Sequence, residues 1–74
     1  MDDHVEMIPV VSSSIQEVGY DEEGCQLHVR FVTGFLYAYM NVPKELFHEL
    51  INAESVGKYF AEHVKKQYQF VREG

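Results

Sequence analysis

Between Cys25 and Phe31 the chain alternates: Cys25, Leu27, Val29 and Phe31 are apolar, and Gln26, His28 and Arg30 between them are polar. A period of two marks a β-strand with one buried and one wetted face, because successive side chains leave a strand on opposite sides. This strand, running to Val32, sets the frame for its neighbours. Thr33-Gly34 reads as a tight turn, and Phe35 to Val42 as a further strand stopped by Pro43, which has no N–H to give a ladder. Upstream, Val10 to Tyr20 also reads as a strand. There Ile15 and Val18 are three apart, a break in the alternation that predicts a bulge or a late strand start. Asp21-Glu22-Glu23-Gly24 closes the first hairpin, with Gly24 placed to take positive φ. Residues 1–9, acidic and without period, predict a flexible tail.

Helical spacing takes over after Pro43, a residue suited to a helix start. Leu46, Phe47, Leu50 and Ile51 form one apolar stripe. Ser55 has the chemistry of an N-cap for a second helix, its hydroxyl accepting from an amide near Gly57 or Lys58. Val56, Tyr59, Phe60, His63 and Val64 form that helix's stripe. Tyr68 to Val71 is open between a last helical turn and a short strand. The expected fold class is α+β: a three-stranded antiparallel meander followed by two short helices packed on one sheet face. At 74 residues the chain has room for one domain, placed at residues 10–74. Hydrophobic residues make up 46%, with five Tyr and five Phe, enough for one modest core and too many for a disordered chain.

Charge is distributed unevenly. The net charge of −6 argues against indiscriminate nucleic-acid binding. Asp2, Asp3, Glu6, Glu17, Asp21, Glu22 and Glu23 crowd the first 24 residues, which hold no basic residue. Residues 55–72 carry Lys58, Lys65, Lys66 and Arg72 against Glu62 alone, a local basic patch on an acidic protein. No apolar run reaches the roughly 18–20 residues of a membrane span. The opening Met1-Asp2-Asp3-His4 is unlike a signal peptide, and one cysteine allows no internal disulfide, so the expected location is cytoplasmic.

The hairpin register decides which face the tyrosines take. If Thr33 and Gly34 are the two central turn residues, the pairs are Val32–Phe35, Phe31–Leu36, Arg30–Tyr37, Val29–Ala38, His28–Tyr39 and Leu27–Met40. Leu27, Val29, Phe31, Leu36, Ala38 and Met40 then line the core under the helices. His28, Arg30, Tyr37 and Tyr39 share the opposite, exposed face. A slip of one residue would bury the tyrosines instead.

Tyr20-Asp21, the Phe31 to Gly34 end of the central strand, Tyr37-Ala38-Tyr39, Val42-Pro43 and Ser55-Val56-Gly57-Lys58-Tyr59-Phe60 together resemble the KTSC domain. The resemblance covers residues 12–70. That family is named from the C-terminal end of some lysyl-tRNA synthetases and occurs also as small stand-alone bacterial and phage proteins. Its synthetase context implies an RNA partner.

The residues allow the same reading. Tyr37 and Tyr39 could stack unpaired bases, as aromatics on sheet faces do, with His28 and Arg30 orienting them. Lys58, Lys65 and Lys66 could meet phosphates near the helix start at Ser55 to Gly57. The expected function is therefore a non-enzymatic binding domain for RNA through an aromatic face. The alternative is a protein-interaction module, or a homodimer through the tyrosine face or a sheet edge. No catalytic residue, cofactor, metal or small-molecule substrate is expected. Cys25 and His28, three apart on a strand, face opposite ways, and Cys25 reads as an inward-facing small hydrophobe next to a turn, a position that could also expose it. Glu45 and His48 supply one Glu-x-x-His, where a di-iron bundle needs two. Ser12-Ser13-Ser14 has no elbow glycines.

Overall fold

A computed structural model describes residues 5–74. Its elements are β1 Met7–Pro9, β2 Ile15–Asp21, β3 Gln26–Phe31, β4 Leu36–Tyr39, α1 Lys44–Ile51, α2 Val56–His63 and β5 Phe70–Arg72. All five strands form one antiparallel sheet whose spatial order is the chain order. The α+β class and the two helices are as expected. The sheet, however, has five strands and not three. β1 lies inside the segment expected as a tail, whose residues 1–4 lie outside the described residues, and β5 makes the C-terminal segment a strand. Each of these outer strands is three residues long, too short to display a period.

Between Ile15 and Glu17 the register against β3 shifts, so Gln16 is the extra residue of the expected bulge. The β3–β4 hairpin is where expectation and structure part. Phe31 N–H donates to Phe35 O at 2.9 Å and Gly34 N–H to Phe31 O at 2.8 Å, which makes Val32-Thr33-Gly34 a three-residue loop. The ladder is therefore Leu27↔Tyr39, His28↔Ala38, Val29↔Tyr37 and Arg30↔Leu36. The cause is turn chemistry. A two-residue type I′ turn needs positive φ at both central residues, and β-branched Thr33 resists it. The longer loop places the positive φ, +101°, on Gly34 alone. Tyr37 and Tyr39 thereby join Leu27 and Val29 on the helix side, and Ala38 turns to the back.

Both helices cover that side. Ile15, Val18, Leu27, Val29 and Tyr39 from the sheet pack with Val42, Phe47 and Leu50, and with Val56, Phe60 and Val64. Ser55 caps α2 as expected, its Oγ accepting from Lys58 N–H at 3.3 Å. In the first hairpin the positive φ falls on Cys25, not on Gly24, and Cys25 is exposed rather than inward-facing. Asp21 holds that turn by accepting from Glu23 N–H at 3.1 Å. Tyr20 stacks on Phe47 with ring centroids 5.5 Å apart, and its hydroxyl donates to Val42 O. That bond fastens the end of β2 to the β4–α1 junction. Burial, with the neighbouring Cys25, raises the Tyr20 pKa.

Candidate functional site

A groove of about 680 Å³ opens between the α2 side and the β4–β5 side of the sheet. Its aromatic wall follows from the register. Tyr37, Tyr39 and Phe31 share the helix side, and Tyr39 pairs with Phe70 of β5. Tyr37 stacks on Phe70 at 5.1 Å and on Tyr39 at 6.4 Å, both with nearly parallel rings. Phe60 comes down from α2 and sets its edge against Phe31 at 5.6 Å and Tyr39 at 5.3 Å. Such offset-stacked and edge-on pairs add about 0.5–1.5 kcal/mol each beyond their buried area. The rings differ in access: Tyr39 is 3% exposed, Tyr37 is partly buried and Phe70 is 51% exposed. Burial, aided by the Tyr37 hydroxyl, pushes the Tyr39 pKa up to about 12.

The rim is polar. Lys65 and Lys66, directly after α2, line one end of the groove, with Ser13, Ser14 and Gly57. Among the described residues neither lysine stands within ion-pair distance of a carboxylate. Gly57 is small for a reason: a Cβ there would lie 3.1 Å from Ser12 Oγ and 3.3 Å from Ser14 Oγ. Its missing side chain lets the start of α2 approach the serine loop. Ser12 orders that loop by accepting from the amides of Ser14 and Ile15, each at 3.2 Å. Arg72 lies over the ring of Phe35, a groove-lining residue, at 4.8 Å. Chemically this is an apolar, ring-lined slot with two ammonium groups at its end, suited to a flat ring that carries or adjoins an anion.

Of the expected site residues, Tyr37, Tyr39, Lys65 and Lys66 meet at the groove. His28 and Arg30 do not, because the register carries the tyrosines to the helix side and leaves these two on the back of the sheet. There Arg30 Nε donates to Glu17 Oε2 at 3.1 Å, and Arg30 also donates to Gly34 O at 3.1 Å. His28 Nδ1 lies 3.4 Å from Glu73 Oε1. Lys58 is exposed on α2 and does not line the groove. Four aromatic contributors escaped sequence reasoning as site residues: Phe31, Phe35, Phe60 and Phe70. Phe31 and Phe60 carry core-facing periodicity, which masks their second role. Phe70 lies in a strand too short to be read, and only its place near other aromatics could have drawn notice.

The comparisons agree with the motif set. The KTSC domain family matches residues 11–68. A protein of Tsukamurella paurometabola is 42% identical over 65 residues, covering 88% of this chain and 97% of that one. An uncharacterized protein of Stutzerimonas stutzeri is 39% identical over 61 residues, covering 82% of this chain and 86% of its own. The crystal structure of a KTSC domain protein from Yersinia pestis superposes with a TM-score of 0.89 at 29% identity, covering 96% of this chain and 100% of that one. With this coverage of sequence and fold, the chain belongs to the KTSC domain family.

Proposed function

We propose that this domain is a non-enzymatic binding module that holds single-stranded or looped RNA weakly in the aromatic groove. What supports the reading is the meeting of Tyr37, Phe70, Lys65 and Lys66 along one slot. A base needs an accessible ring face and its phosphate needs an unpaired cation nearby, and both are available there. The roles change from those expected on sequence. Phe70 and Tyr37 offer the stacking surface, and Tyr39, being buried, supports it from below. His28 and Arg30 leave the site, since each is engaged with a carboxylate on the other face. Lys58 contributes charge at a distance. The net charge of −6 keeps affinity low but does not forbid a local contact, because counterion release counts only the phosphates neutralised.

The test is an NMR titration of the labelled domain with a mixed pool of short RNA oligonucleotides, at low and then physiological salt. Shifts should cluster on Tyr37, Phe70, Lys65 and Lys66. Affinity should fall with salt by a log–log slope near −0.7 per phosphate contacted. A spectrum unmoved by RNA at low salt, or shifts confined to the back of the sheet, would overturn the reading.

A further inference from the structure

The two edges of the sheet are built differently. β1 ends in Pro9, which has no N–H, and belongs to the acidic first third of the chain. Proline and like charge are common guards of an open edge. β5 has no proline, and Phe70, Val71 and Arg72 are all exposed. The direction of its backbone groups follows from the ladder. Met40 N–H donates to Gln69 O at 2.8 Å, and Glu73 N–H donates to Leu36 O at 2.7 Å. Hydrogen-bonded pairs recur every second residue in an antiparallel ladder. Val71, paired with Ala38, therefore turns both its groups to β4. Phe70 and Arg72 turn theirs outward, to the free edge.

We propose that this edge pairs with the same edge of a second copy of the chain, antiparallel about a two-fold axis at Val71. In that register Phe70 N–H donates to Arg72 O of the second copy and Arg72 N–H to Phe70 O of the second copy, four bonds by symmetry. Val71 meets Val71 of the second copy as the close, non-hydrogen-bonded pair on the back face. On the groove face each Arg72 stands across from a phenylalanine. An axis at Arg72 would set two guanidinium groups against each other. An axis at Phe70 would carry Arg72 past the end of the partner strand. Only the axis at Val71 uses every outward group of β5 and opposes no like charges.

The charge distribution fits. The spatial order places β5 farthest from β1 and β2, whose segment holds seven of the twelve acidic residues, so two acidic chains meet along their least acidic edge. The contact is isologous and closes on itself, and Pro9 blunts the edge that remains. The axis runs through the sheet, so both helical layers lie on one side and the two grooves become neighbours across a ten-stranded sheet. The pairing uses backbone groups and does not depend on what fills the groove.

Sedimentation equilibrium over a wide concentration range, with no RNA present, tests it. The expected result is a reversible monomer–dimer equilibrium. Val71→Lys should weaken it by roughly ten-fold or more, because like charges then face across the axis, while leaving the circular dichroism unchanged. In a Cys25→Ser background, Val71→Cys should oxidise readily to a disulfide dimer, since non-hydrogen-bonded pairs bring Cβ atoms close. Ile8→Cys on the other edge should not. A wild-type chain that stays monomeric at the highest reachable concentration would overturn the proposal. So would a dimer that Val71→Lys leaves intact and Val71→Cys does not cross-link.

Discussion

On the groove face of the sheet, Phe31, Tyr37, Tyr39 and Phe70 pack ring on ring, and Lys65 and Lys66 stand at the rim with no carboxylate in reach among the described residues. On the back face the basic groups of β3 are partnered: Arg30 with Glu17 at 3.1 Å and His28 with Glu73 at 3.4 Å. Both faces therefore carry residues of the kind that bind nucleic acid, and the difference lies in what those residues already hold. The Arg30 guanidinium, engaged with a carboxylate, must give up one partner to take another. A cation at the mouth of an apolar slot does not. The comparison also shows that the groove's wall and the domain's core are one set of rings, so changes there act on folding as well as binding.

The largest expected effect breaks the groove side. Tyr39→Ala removes a side chain that is 3% exposed and touches Phe60, Phe70 and Tyr37. Truncating a buried aromatic costs about 3–5 kcal/mol, comparable to the whole stability of a small domain. Urea denaturation should find Tyr39→Ala largely unfolded and Tyr39→Phe nearly as stable as the parent. A well-folded Tyr39→Ala would mean that the wall is not part of the core. On the back face no single truncation should approach this loss.

Alkaline pH attacks the same side. Tyr39, by burial, and Tyr59, by donating to Glu49 at 2.6 Å, both have pKa values pushed up to about 12. In the unfolded chain a tyrosine loses its proton near pH ~10. Between those values the unfolded state binds fewer protons than the folded one, so stability falls as pH rises. The contribution is complete below pH ~10 and lost through about 12. The urea midpoint should drop across that window, in step with late tyrosinate absorbance. Tyr59→Phe should remove part of the drop, and an unchanged midpoint would refute the assignment.

Binding should separate the faces in the other direction. Lys65→Glu with Lys66→Glu should weaken RNA binding at low salt by roughly ten-fold or more and flatten the salt slope. Arg30→Gln should leave both unchanged. If Arg30→Gln proved the more damaging, the RNA surface would be the back of the sheet.

Much of this arrangement was legible in sequence, and what was not has local causes. The alternation of Leu27, Val29 and Phe31 announced β3, the stripe of Leu46, Phe47 and Leu50 announced α1, and Ser55 announced the start of α2. The misplaced spacing of Ile15 and Val18 announced the bulge at Gln16. The three-residue strands had no pattern to show. The faces of β4 were misread because Thr33-Gly34 resembles a two-residue turn until the φ demanded of Thr33 is considered, and that one residue exchanged Tyr37 and Tyr39 for Ala38 as core-side groups. A single turn thus parted His28 and Arg30, two of the seven expected site residues, from the tyrosines. Gly34→Ala tests the cause: open space surrounds the position, so the cost comes from φ +101° alone. A loss of about 1–2 kcal/mol is expected in the same urea assay. No loss would mean that the loop can relax to another register.

The smallest expected effect completes the comparison. Arg30 and Glu17 are partly exposed, at 35% and 26% for their side chains. Pairs of this kind contribute about 0.2–1 kcal/mol, and less as salt screens them. Arg30 also donates to Gly34 O, so it ties the body of β3 to the turn that sets the register. If the ion pair were its whole contribution, Arg30→Gln and Glu17→Gln should cost the same, and both losses should vanish at high salt. If the turn contact matters, Arg30→Gln should retain a residual loss at high salt that Glu17→Gln lacks. A double-mutant cycle with Gly34→Ala should then show coupling, because both changes act on the same loop. Additive losses would confine Arg30 to a surface pair and leave the register to Gly34.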